Sequence, residues 1–407
     1  MYRAIKVRIY PTSEQSQKLS QVMGCARWWW NYALNLCNQT YKETGKGLTQ
    51  IALNKFLPKL KKSEETAWLG ECYSQVLQST TLNLTKAFKN FFEKRAKYPR
   101  FKSYYGRQSA QYPQNCQVVE KGVKVPQVGV IKASIHRLFD GQLKTVTITK
   151  TPTGKYYASL LFDTEQEVPE AVVTGKVVGI DLGIKDFCIT HDGEKTSKYA
   201  NPKHIKKHER NLARKQRQLA RKKKGSKSRE KARKLVAIVH ERISNARQDF
   251  LHKLSRKIVN DNQVVVVENL NVKGMVRNHN LAKAISDVGW GMFVNFLDYK
   301  LHQKRGLLVE IDRFFPSSKT CSNCLYQMSE MPLEVREWTC PSCGTHHDRD
   351  ENASKNIRAE GIRQLSVLGT RTAAEGGEVR PKGGRKSVLR HSPVSSEAHT
   401  VPSGQCG

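Results

Sequence analysis

Val177-Val-Gly-Ile-Asp-Leu-Gly-Ile184 decides how this chain is read. A short apolar run ends on an acid, Asp181, and a tight glycine-containing turn follows at once. Val264-Val-Val-Val267 ends in the same way on Glu268, and its unbroken apolar character predicts a strand buried at the centre of a sheet. His347-Asp-Arg-Asp-Glu-Asn352 opens a helical pattern and supplies a third acid, Asp350. Acids this far apart matter when a fold gathers them. Three carboxylates brought together repel one another and are costly unless divalent metal neutralises them. Two Mg²⁺ ions held between such acids clamp the attacking and leaving oxygens of a phosphodiester. Asp181, Glu268 and Asp350 are therefore the candidate catalytic acids and the candidate magnesium ligands.

Asp348 competes with Asp350 for the third place, and helix geometry separates them. Asp348-x-x-Glu351 fits a capping box, with Asp348 as N-cap and Glu351 reaching back. On the helix that follows, Asp350, Ala353 and Ile357 stand at i, i+3 and i+7, the apolar face that packs on a sheet. Asp348 projects from the opposite side and is read as the structural acid.

Just before these acids, Cys321-x₂-Cys324 and Cys340-x₂-Cys343 are separated by fifteen residues, the spacing of a four-cysteine zinc ribbon. Each pair presents two thiolates on one turn, and Zn²⁺ takes four of them tetrahedrally. A closed site of this kind is structural. His346 and His347 lie beside it, but four cysteines already complete the coordination. Cys25, Cys37, Cys72, Cys116 and Cys188 are expected to be buried thiols of a reducing compartment, and Cys406 lies in a tail.

The 407 residues carry 70 Lys plus Arg against 36 Asp plus Glu, a net charge of +34. Such a surplus repels itself unless a polyanion is bound, and nucleic acid is the expected partner. Mean hydropathy is −0.60, and no apolar run approaches the ~20 residues that span a bilayer, so a membrane partner is not expected. The first residues alternate Ile5, Val7 and Ile9 with Lys6 and Arg8, which predicts a half-buried strand and not a signal peptide.

A helix is predicted from Pro11-Thr-Ser-Glu14 to about Gly45, a second over residues 49–62, and a third from Gln75 to Lys94. The third places Leu77, Leu84, Phe88 and Phe91 on one face and Gln75, Ser79, Asn83 and Asn90 on another; Pro99 ends the helical run. Strand patterns fill residues 116–163, so a helical bundle interrupts a β-barrel whose first strand is the N-terminus. Residues 164–173 read as a polar linker. Two basic helices, 203–224 and 228–258, meet at Gly225-Ser226, the second with an apolar stripe of Leu235, Val239, Ile243, Phe250, Leu254 and Ile258. Single-sign charge of this density, Lys222, Lys223 and Lys224 included, points to a phosphate-tracking surface. Ile285–Arg305 is predicted as one helix, Leu307–Ile311 as a strand, and the last helix runs from near Asp348 to about residue 368. Residues 369–407, without an aromatic and rich in Gly, Ser and Pro, are expected to be disordered.

Taken in order, Gly179-Ile-Asp-Leu-Gly-Ile-Lys185, Glu268-Asn-Leu270, Ser286-Asp-Val-Gly-Trp290, Phe315-Pro-Ser-Ser-Lys-Thr-Cys-Ser-Asn-Cys324 and His347-Asp-Arg-Asp-Glu-Asn-Ala353 closely resemble the TnpB family of transposon-encoded proteins, as does Tyr98-Pro-Arg-Phe-Lys102. The resemblance covers about residues 1–368. It implies an α/β multidomain protein: a wedge β-barrel (1–12 and 98–165) with an inserted helical recognition bundle (13–97), then an RNase H-like, RuvC-type nuclease domain (174–320 and 346–368) carrying an inserted zinc ribbon (321–345). It further implies a guide RNA from the transposon end, a double-stranded DNA target beside a short motif, and a monomer on one RNA in the bacterial cytoplasm, associated with the nucleoid. Gln78 falls where a base-reading residue of the bundle is expected. Only 82 positions separate Glu268 from Asp350, too few for a second nuclease domain, so one site has to cut both strands in turn. Two rival readings remain. A DNA-joining transposase of this fold ends its acid series on Glu, where this chain has Asp350; an RNA-guided repressor without cleavage is expected to lack one of the acids.

Overall fold

The computed structural model describes residues 1–167, 171, 175–332 and 334–367, and the expected tail 369–407 lies outside them, as does most of the linker's second half. The chain divides into two compact units, the first with Met1–Glu167 and the second with a described part from 171 to 367.

In the first unit, strand β1 (Tyr2–Tyr10) leads into α1 (Ser13–Thr44), α2 (Gln50–Asn54), α3 (Phe56–Lys62), a 3₁₀ segment Glu64–Glu71 and α4 (Ser74–Phe92). Six strands follow: β2 (Gln108–Tyr112), β3 (Gln117–Val119), β4 (Gly122–Val125), β5 (Gly129–Ser134), β6 (Gln142–Lys150) and β7 (Tyr156–Asp163). Thr12 and Gln15 form a reciprocal capping box at the start of α1, and Gly45, at φ 67°, ends it. The predicted second helix is two short ones, interrupted at Lys55. Ser79, predicted on the polar face of α4, is buried along with Thr80 and Thr81. Trp29 Nε1 donates to Thr81 Oγ1 at 2.9 Å, which satisfies both polar groups inside the core.

All seven strands form one antiparallel sheet in the order β2-β6-β7-β1-β5-β4-β3, with the N-terminal strand at its centre. Ile5, Val7 and Ile9 pack with the α1 and α4 side chains in one core. The pairing does not run from β3 back to β2, so an open strand order stands where the sequence predicts a barrel. Cys25, Cys37 and Cys72 are buried as expected, whereas Cys116 is only half-buried.

The second unit begins with β8 (Val177–Leu182), β9 (Asp186–His191) and β10 (Thr196–Ala200), then α5 (His204–Ala220) and α6 (Lys227–Asp261). It continues through β11 (Val264–Glu268), α7 (Val272–Met275), α8 (His279–Val288), α9 (Trp290–Gln303) and β12 (Leu307–Ile311). Last come β13 (Glu337–Thr339), β14 (His346–Asp348) and α10 (Arg349–Val367). Five strands make a sheet ordered β10-β9-β8-β11-β12, antiparallel on one side of β8 and parallel on the other. The run Ile285–Arg305 is two helices and not one, because Gly289 at φ 76° ends α8 and starts α9. Asp287 secures that break: its carboxylate accepts from Arg247 Nη2 at 2.9 Å and from the Ile205 amide at 2.8 Å.

Alternation along β8 and β11 sends their side chains to opposite faces of the sheet. Val178, Ile180, Val265 and Val267 meet α6 and α9, while Val177, Val264 and Val266 meet Ile357 and Leu365 of α10. On that second face α10 approaches so closely that a Cβ on Gly179 would collide with the Ser354 carbonyl and the Arg358 amide. Gly361 presses on Val266 in the same way. Gly179→Ala is therefore expected to destabilise the protein by about 1–3 kcal/mol through overpacking. Denaturant unfolding checks this; an unchanged midpoint would mean that the helix stands off the strand.

Candidate functional site

Two elements run in opposite directions where α10 lies on β8. Arg358 Nε donates to the Val177 carbonyl at 2.8 Å, and Ser354 sits over Gly179. Two strand residues advance about 6.6 Å, close to one helical turn of about 5.4 Å. One further step along each element pairs Asp181 with Asp350. Glu268 joins them from the neighbouring parallel strand: Ile180 is in register with Val267, and each acid is the next residue. Asp181 continues the Val177 and Gly179 face, and Glu268 the Val264 and Val266 face. All three predicted acids thus lie on the α10 side of the sheet, at the C-terminal ends of β8 and β11.

Electrostatics reports the same proximity. Burial, followed by the charges of Glu268 and then Asp350, pushes the Asp181 carboxyl up to about 8. Burial also raises Glu268, against the opposing effect of a hydrogen bond from Ser317. Asp350 has Arg336 Nη1 at 3.6 Å from its Oδ2.

Asp348 is placed differently. Its Oδ1 accepts from the amides of Asp350 and Glu351, both at 3.0 Å, so it caps α10 as expected. The reciprocal half of the capping box is replaced: Lys198 of β10 bridges Asp348 at 2.7 Å and Glu351 at 2.9 Å. An external cation outcompetes the turn's own amide for Glu351.

The four cysteines converge. Cys321 and Cys343 sulfurs are 3.6 Å apart, as are those of Cys324 and Cys340, and all four lie within 4.8 Å of one another. Sulfurs at about 2.3 Å from one tetrahedral centre stand about 3.8 Å apart, so the quartet fits a structural zinc ion. Each knuckle closes with one residue in the left-handed region, Leu325 at φ 64° and Gly344 at φ 71°. His347 Nε2, buried, lies 3.1 Å from the Cys321 sulfur as an outer contact. Among the described residues this quartet is the group whose potential ligand atoms cluster this tightly.

Sequence reasoning missed the connection between the knuckle and the acids. Asn352 and Asn356, one turn apart on α10, are 1% and 4% exposed. Asn356 Nδ2 donates to the carbonyls of Ser317 (2.7 Å) and Thr320 (2.6 Å). Asn352 Nδ2 donates to Thr320 O at 2.7 Å, while its Oδ1 accepts from the Ser322 amide at 3.0 Å. Ser317, in turn, donates its hydroxyl to Glu268 Oε1. The available signal was two asparagines inside an otherwise well-formed helix, where that residue is a poor helix former and needs a hydrogen-bonding reason to be buried.

Lys222, Lys223 and Lys224 are exposed but sit in the turn after α5 and not on it. Arg229 Nη1 takes the carbonyls of Leu219 and Lys222, and Gly225 at φ 84° turns the chain into α6. No residue of α5 is buried, and Leu235, assigned to the apolar stripe of α6, is 44% exposed. The stripe begins only at Val239. Gln78 is half-buried on α4. No helix among the described residues is long and apolar enough to cross a membrane.

Three family models match the chain: one described as "Probable transposase" over residues 161–279, one as "Cas12f1-like, TNB domain" over 290–357, and one as "Helix-turn-helix domain" over 1–46. In this structure the last stretch is β1 followed by one unbroken helix. A Streptomyces pristinaespiralis protein named "Putative RNA-guided DNA endonuclease" is 40% identical over 365 residues, covering 88% of this chain and 89% of its own length. An Escherichia coli K12 protein named "Putative RNA-guided DNA endonuclease InsQ" is 29% identical over 377 residues, covering 88% and 92%. Among solved structures, the Cas12f1–sgRNA–target DNA complex aligns with a TM-score of 0.56 at 13% identity, over 88% of this chain and 98% of that one. The chain therefore shares that mixed α/β fold.

The raised Asp181 carboxyl has a measurable consequence in magnesium-free buffer. Its value in the fold, about 8, exceeds the 3.8 of an unperturbed carboxyl. Between those values the folded protein holds a proton that the unfolded chain has released, so stability falls as pH rises from 4 to 8. Asp181→Asn is expected to flatten that slope in denaturant melts between pH 5 and 8. A slope equal to wild type would mean that neither burial nor the neighbouring acids hold a proton on Asp181.

Proposed function

The chain belongs to the TnpB family, and from that premise we propose that it is an RNA-guided DNA endonuclease of an insertion-sequence transposon, cutting both strands of a target duplex at Asp181, Glu268 and Asp350. The observation that carries this reading is the placement of three acids by β8, β11 and α10 on one face of one sheet. The strand order, antiparallel before β8 and parallel after it, supports an RNase H-like, RuvC-type assignment for 174–320 and 346–368.

An all-oxygen donor set is the kind that Mg²⁺ takes, and the Asp181 carboxyl is raised first by burial and then by the charges of Glu268 and Asp350. Asp181, Glu268 and Asp350 would hold two such ions, whose chemistry is to stabilise charge on the scissile phosphate and to activate water. The protein's own contribution is rigidity. Two acids stand at the ends of paired strands, and the third lies in the first turn of a helix locked to them. Asp348, paired with Lys198, is left to cap that helix.

Zinc in the 321–345 ribbon holds a fold and has no open position for substrate. The wedge (1–12 and 98–165) and the helical bundle (13–97) are assigned the reading of the target-adjacent motif, with Gln78 as a contact. The basic hairpin of α5 and α6 is assigned the phosphates of the guide–target duplex, which it would track irrespective of sequence. The complex is proposed as one chain on one RNA, acting on DNA in the bacterial cytoplasm.

Purified protein with its co-purifying RNA, given a matched target, tests the reading. Asp181→Ala and Asp350→Ala are each expected to abolish cutting while guide-dependent binding persists. Asp348→Ala is expected to lose about 1 kcal/mol of stability with its cap and still cut. Cutting by Asp350→Ala but not by Asp348→Ala would reverse the assignment.

Neutralising Lys222, Lys223 and Lys224 together is expected to weaken binding about equally for all matched targets. It should also make the salt dependence shallower by up to about three counterions. An altered motif preference with an unchanged salt slope would move this turn out of the duplex-holding surface.

A further inference from the structure

Ser317, in the stretch Phe315-Pro-Ser-Ser-Lys-Thr-Cys321, is 49 positions from Glu268 in sequence and touches it in the fold. It is 6% exposed, and its hydroxyl is given to Glu268 Oε1. The chain reaches it directly: β12 ends at Ile311 in register with Glu268, and five residues later the turn at Pro316 folds back. Pro316 O accepts from the amides of Lys319 and Thr320, both at 3.1 Å, which closes that turn.

A short loop alone would not hold a hydroxyl on a carboxylate. Here the loop is tied to α10 by four hydrogen bonds with two buried asparagines: Asn356 donates to Ser317 O and Thr320 O, and Asn352 donates to Thr320 O and accepts from the Ser322 amide. These asparagines are two and six residues beyond Asp350 on the same helix. One rigid body thus carries Asp350 and, through the loop, the group that holds Glu268.

We propose that Ser317 is a positioning residue of the nuclease site: its hydroxyl occupies one oxygen of Glu268 and turns the carboxylate toward Asp181 and Asp350, with Asn356 and Asn352 fixing the serine to the helix that bears Asp350. This rests on the reading of these acids as the divalent-metal site. A glutamate side chain has three rotatable bonds, and without the serine it samples positions that cannot share an ion with Asp181. Loss of the hydroxyl therefore weakens metal binding and leaves the DNA-binding surfaces alone.

Full-length protein with its co-purifying RNA is compared as wild type, Ser317→Ala, Ser317→Thr and Asp181→Ala. Cleavage is followed across a Mg²⁺ titration, and Mn²⁺ binding is read separately by the loss of its free electron-paramagnetic signal. Ser317→Ala is expected to need roughly tenfold more Mg²⁺ for half-maximal cutting and to bind Mn²⁺ correspondingly more weakly. Its melting temperature, zinc content and target binding should match wild type, and Ser317→Thr, which keeps the hydroxyl, should restore metal affinity. A folded Ser317→Ala with wild-type affinity for both ions overturns the proposal, as does a folded Ser317→Thr that behaves like the alanine variant. If Ser317→Ala melts early, Mn²⁺ binding by Ser317→Thr decides: wild-type affinity supports the hydroxyl's role, and weakened affinity in a folded sample overturns it. If wild type fails to cut at any Mg²⁺ concentration, the nuclease reading fails, and the Mn²⁺ comparison still decides whether Ser317 orients Glu268.

Discussion

The second unit depends on the contact between α10 and β8 at Gly179. A strand that meets a helix backbone this closely has no room for a side chain, so glycine is required there for space and not for a turn. Because Arg358 also fixes the other end of the crossing through the Val177 carbonyl, the helix has no freedom to slide. The distance from that crossing to Asp181 along the strand is nearly the distance to Asp350 along the helix. The proposed site is therefore a consequence of one packing contact extended by one step in each element.

The zinc knuckle and the acids look like separate features in the sequence, but the structure joins them through a hydrogen-bonded loop. Cys321 belongs to the same segment as Ser317, and Asn352 binds both sides of it. In a buried setting every one of those backbone groups needs a partner, and the asparagines supply several at once. The loop from which the four-cysteine segment grows is thus tied to α10 by its asparagines. The quartet's geometry, with sulfurs 3.6 Å apart in each of two pairs, fits zinc that holds this segment in shape.

Much of this was legible because it is local. The apolar runs ending at Asp181 and Glu268, the Cys-x₂-Cys pairs and the Asp348 cap each read from a few neighbouring residues, and each is found where its pattern predicts. What was not legible depends on partners distant in sequence or on a single backbone angle. Ser317 looks like any loop serine until Glu268, 49 positions away, is beside it. Glu351 fits a capping box until Lys198 takes its carboxylate. Ile285–Arg305 has unbroken helical periodicity, and only the positive φ of Gly289 divides it. Leu235 keeps the α6 stripe in phase but stays exposed, because no residue of α5 is fully buried in this hairpin. The barrel was expected from alternating strand patterns and from the family resemblance, and period-2 patterning says nothing about whether the two edge strands meet.

The central claim is that Asp181, Glu268 and Asp350 act as one site serving both strands. The most direct measurement follows each strand of a matched target separately, by end label, in Asp181→Asn, Glu268→Gln, Asp350→Asn and their pairwise combinations. Groups that act as a unit are not additive. The account predicts that each single change removes cutting of both strands together and that pairing two changes removes nothing more. Continued cutting of either strand by any one of the single variants would contradict it.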